Sequence, residues 1–67
     1  MSTLTPDNIM LWFKFIVPAL NLFERTMIMR GFKANAPVEF FDNVINMLKE
    51  HLSEKDILDL ETMVNNS

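Results

Sequence analysis

Residues 6–31 read PDNIMLWFKFIVPALNLFERTMIMRG, and the way this run folds decides the architecture of the 67-residue chain. Thr5, Pro6 and Asp7 have the form of a helix start. A hydroxyl can cap free N–H groups, proline loses nothing at the first helical position, and an acid suits the positive helix end. Gly31 after Arg30 has the form of a stop, because glycine enters the left-handed conformation freely and a cation suits the negative end. Between these marks Ile9, Phe13, Ile16, Leu20, Phe23 and Met27 alternate by four and three, the spacing of a coiled-coil seam. Asp7, Lys14 and Asn21, with Arg25 beside them, leave only a narrow wet strip. Leu11, Phe15, Leu22 and Met29 form a second apolar face, turned about 100–140° from the first. Pro18 interrupts the hydrogen-bond ladder at a cost of about 3 kcal/mol. The apolar pattern runs through it in phase, which favours a kink in one helix over a split into 6–17 and 18–30.

Working outward, Phe32 to Ala36 read as a short loop and Pro37 opens a second helix to about Leu52. Val38, Phe41, Val44, Ile45, Leu48 and Leu52 form its apolar stripe, with Phe40 and Met47 on the flank. Ser53 with Asp56 three residues on is a weaker capping box, and it starts a third helix with the stripe Ile57, Leu60 and Val64. The expected fold is all-α: one domain over residues 1–67, a small bundle with helices at about 6–30, 37–52 and 54–64, the first kinked or split at Pro18, completed by homodimerisation.

Size explains the last expectation. A chain this short buries only about 60% of its unfolded surface, and small domains add disulfides, a metal or a partner. This one has no cysteine and a single histidine, while 49% of its residues are hydrophobic. A partner is what remains. The second face of the first helix, Leu11, Phe15, Leu22 and Met29 with Trp12 beside it, has no intrachain cover in a three-helix reading, and a symmetric copy is the simplest one.

Charge narrows the functional classes. The net charge is −3, which argues against a protein that coats nucleic acid. It is also unevenly spread: residues 1–36 carry Lys14, Arg25, Arg30 and Lys33 against Asp7 and Glu24, whereas residues 37–67 carry seven acids against Lys49 and Lys55. Glu54, Asp56, Asp59 and Glu61 form a candidate acidic face for a partner. The apolar run 9–23 is too short, and too interrupted by Lys14 and Pro18, for a membrane span. No secretory leader is recognisable, so a cytoplasmic location is expected.

Catalytic chemistry finds no foothold. There is no cysteine nucleophile, glycine-rich phosphate loop or telling pair of carboxylates, and His51 near Glu54 is better read as a favourable charge at a helix end than as a metal ligand. No catalytic residue, metal site or cofactor is assigned. The segment Leu52-Ser53-Glu54-Lys55-Asp56-Ile57-Leu58-Asp59-Leu60-Glu61 resembles the opening of LuxR-type helix-turn-helix domains. The likeness covers ten residues and is acidic where that family needs basic contacts to phosphate, so it implies a capped helix start and no function.

The functional expectation is a non-enzymatic helical interaction protein: a homodimeric regulator or inhibitor of an unidentified protein partner, of a kind that viruses and phages encode. The alternative is a membrane-surface protein using residues 9–23, with Arg25, Arg30 and Lys33 on anionic headgroups.

Overall fold

A computed structural model of the chain describes residues 5–66; residues 1–4 and 67, the ends of the expected domain, lie outside it. The described residues are all-helical, with four α-helices rather than three: α1 Pro6–Ile16, α2 Leu22–Asn35, α3 Val38–Leu48 and α4 Glu54–Asn65. A single 3-10 turn, Val17–Ala19, follows α1. Two caps stand where the sequence places them. Thr5 Oγ1 accepts from the Asn8 N–H at 3.2 Å, and Ser53 Oγ accepts from the Asp56 N–H at 3.1 Å.

The first long helix is split, not kinked. Pro18 falls in the 3-10 turn, and Leu20 and Asn21 are extended, with φ −95°, ψ 161° and φ −81°, ψ 172°. The chain re-enters a helix at a full capping box. The Asn21 side chain accepts from the Glu24 N–H at 2.9 Å, and the Glu24 carboxylate accepts from the Asn21 N–H at 3.1 Å. Each of these bonds satisfies a donor that the helix start would otherwise leave open, so the α2 side of the break is fixed by its own cap.

Gly31 does not end a helix. It lies inside α2 with no positive φ, and the helix continues to Asn35. The stop comes from Pro37, which disfavours helical geometry in the residue before it; Ala36 is accordingly extended, at φ −109° and ψ 153°. The continued turn carries Phe32, half-buried, against the core rather than into a loop. Its ring lies 4.6 Å from that of Phe13, 5.5 Å from Phe40 and 6.0 Å from Phe41, centroid to centroid. A Cβ on Gly31 would meet no atom within 4 Å. Gly31→Ala is therefore expected to stabilise the fold by about 0.5–1 kcal/mol, by removing the entropy cost of a mid-helix glycine; urea titration checks it.

The α3 helix is shorter than expected. After Leu48 it tightens, with Glu50 N–H donating to Met47 O and His51 N–H to Leu48 O, and Ser53 opens α4. This puts His51 in an exposed turn. In the packing α1 lies on α3, and α2 bridges α3 and α4. Phe13, Val17, Met29, Val44, Ile45, Leu48, Ile57, Leu60 and Val64 form one buried core.

Candidate functional site

The break resets the helical phase, and this decides which apolar residues face inward. In one continuous helix Met29 would lie about 160° from Phe13, at 100° per residue. With the reset both are core residues, and Met29 is fully buried. Met29 therefore belongs to the intrachain core and offers nothing to a partner. Leu22 is half-buried against the same core. The reset also breaks the expected seam: Phe13 is buried, but Phe23 and Met27 are 69% and 58% exposed on the outer side of α2.

Three of the five residues expected at an interface remain at the surface. Leu11 and Trp12 are about half exposed and Phe15 is 67% exposed, with Ile16 beside them. Leu11 and Phe15 stand two residues either side of Phe13, so they point about opposite to it. A second element adjoins this ridge. Ile9, Trp12, Phe13 and Phe32 line a wholly apolar cleft of about 290 Å³, whose wall is the Trp12 ring set edge-on to Phe13 at 5.3 Å. Sequence reasoning reaches Trp12 but not Phe32, because Phe32 is assigned to a loop. The Lys14 ammonium sits 5.7 Å from the Phe15 ring centroid, so a cation borders the ridge.

Arg25 is not part of a wet strip. It is buried, donating from Nε to Val17 O and from Nη2 to Pro18 O, both at 2.9 Å. Val17 O also accepts from the Leu20 N–H of the 3-10 turn at 3.1 Å, and a guanidinium fork suits two adjacent acceptors. The other cations of α2 serve the end of α4. Arg30 donates to Met63 O at 2.8 Å and Lys33 to the Asn65 side chain at 3.0 Å, where positive charge complements the negative helix end.

The acidic residues of α4 do not form a uniform free face. Asp56 lies 3.8 Å from Arg25, and Asp59 accepts from Lys55 at 2.9 Å. That hydrogen bond and the Asp59 charge hold the Lys55 ammonium above its ordinary range. Glu54 and Glu61 make no ion pair among the described residues. Among those residues no three His, Cys, Asp or Glu side chains gather as a metal site, and no helix is long and apolar enough to cross a membrane.

No family model, curated protein or solved structure matches this chain. Two of its surfaces are distinct: the apolar ridge and cleft of α1, and the polar-edged side formed by α3 and α4 with Lys33 of α2.

Proposed function

We propose that this chain is a non-enzymatic interaction protein that pairs with a second copy through α1 and acts by binding another protein. The observation that carries the reading is the Leu11–Phe15 ridge beside the cleft of Ile9, Trp12, Phe13 and Phe32. A surface bearing both a projecting ring and an apolar recess is complementary to itself, which is the requirement of a two-fold interface. In an antiparallel pair the Asp7 end of one α1 approaches the Lys14 end of the other, so the flanking charges favour the same arrangement. Aromatic side chains seated in dry recesses carry most of the energy of such interfaces.

Support for the membrane-surface alternative is weaker. Of the three cations it needs, Arg25 is held by backbone carbonyls and Arg30 and Lys33 by the end of α4. Sedimentation equilibrium tests the pairing. The expected result is a species of twice the 7.8 kDa chain mass at micromolar concentration; a monomer at every concentration would remove the self-association, and sedimentation with anionic vesicles would favour the alternative.

A further inference from the structure

Nothing within the single chain calls for glycine at position 31. Gly31 has no positive φ, it sits inside α2, and a Cβ there would meet no atom within 4 Å, so alanine would hold the helix better. Its neighbours frame a gap. At 100° per residue Gly31 lies between Met27 and Ile28 of the preceding turn, and Ile28 in turn lies between Gly31 and Phe32. Met27 is 58% exposed, and Ile28 and Phe32 are half-buried. Phe32 is also a wall of the α1 cleft. The apolar surface therefore continues from that cleft across α2, as Phe32, Ile28 and Met27 around a bare stretch of backbone. That backbone can be covered at little cost: the Gly31 carbonyl accepts from Asn35 Nδ2 at 2.7 Å, so burial leaves it with a partner.

A paired chain needs this extension. The α1 helix has 11 residues. At about 1.5 Å per residue and about 10 Å of width its outer face covers roughly 160 Å², against the roughly 800 Å² that each partner buries in a standard interface. Even with side-chain relief doubling that figure, α1 alone falls short. Its other edge does not supply the rest: it carries Asp7 and Lys14, and α3, on which α1 lies, exposes Glu39, Asn43 and Asn46. We infer that α1 of a second copy lies against both α1 and α2 of the first, crossing α2 over Met27, Ile28 and Phe32 with Gly31 as the point of closest approach. Helix axes pack about 8–10 Å apart according to the side chains between them, and a glycine at the crossing admits the short end of that range. The inference rests on the proposed pairing through α1 and names the surface that completes it.

Sedimentation equilibrium of the full chain tests it, with Gly31→Ala, Gly31→Leu and, at an exposed position of α4, Thr62→Leu as the control. The dissociation constant of the pair is expected to rise about fivefold in Gly31→Ala and about fiftyfold in Gly31→Leu, because the crossing is overpacked and the two-fold axis repeats it. Thr62→Leu should pair as wild type does. On the single chain the effect has the opposite sign. At concentrations where the chain is monomeric, Gly31→Ala should raise the urea midpoint, and both variants should keep the wild-type helical signal. A wild-type pair that both Gly31 variants leave unchanged or tighten overturns the inference and leaves the pairing through α1 standing; so does equal weakening by Thr62→Leu. A wild-type monomer at every concentration overturns the pairing, and this surface with it. Should Gly31→Leu lose helical signal, Gly31→Ala decides alone.

Discussion

Arg25→Ala is expected to lower the unfolding free energy by about 2–4 kcal/mol, because it leaves two carbonyls at the α1–α2 junction without their charged donor. A domain of this size holds roughly 3–10 kcal/mol in total, so the loss is a large part of the whole. The guanidinium donates to Val17 O and Pro18 O at 2.9 Å and is buried while doing so. Removing it also leaves a space that the alanine cannot fill. Urea denaturation followed by far-UV circular dichroism gives the magnitude. Arg25→Lys should recover only part of it, since an ammonium carries no planar fork. Asp56→Asn should cost under about 1 kcal/mol, because the pair is 3.8 Å long and Asp56 is half exposed. A change within about 0.5 kcal/mol for Arg25→Ala would mean that the junction holds itself without the side chain.

The second large effect concerns association. Phe15→Glu should weaken the proposed α1 pairing by at least a hundredfold, as expected when a central aromatic contact of about 2–4 kcal/mol is replaced by a charge on both subunits. Phe15 is 67% exposed in the single chain, so the same change should alter monomer stability by no more than about 0.5 kcal/mol. Sedimentation equilibrium and urea titration on one sample separate the two quantities. An unchanged mass distribution would show that pairing, if present, uses another surface. Leu22→Glu is the contrasting substitution. Leu22 is half-buried against the core, so a charge there should lower the stability of the single chain itself rather than merely dissociate a pair.

What the sequence discloses, and what it withholds, turns on a few residues near the break. The starts of α1 and α4 are legible because a cap is local chemistry, readable from Thr5 and Ser53 with the few residues that follow. The break was legible too, in Asn21 and Glu24, but a continuous apolar pattern across Pro18 points the other way. Once the phase is read as continuous, the faces assigned to residues beyond it shift together. Met29 is placed at an interface although it is core, Arg25 is placed in water although it is buried, and Phe23 and Met27 join a seam they do not form. Gly31 misleads for a different reason: the demand that Phe32 meet Phe13, Phe40 and Phe41 outweighs a single glycine. The ridge at Leu11, Trp12 and Phe15 survives because it lies before the break.

The break has a consequence for cooperativity. The four helices have 11, 14, 11 and 12 residues, at or below the length at which a helix persists by itself in water. Had residues 6–35 formed one rod, that rod could have outlived the loss of its neighbours. Divided at residues 17–21, no segment keeps its shape without the others, so heating should remove helical signal and the near-UV signal of Trp12 at the same temperature, as one transition.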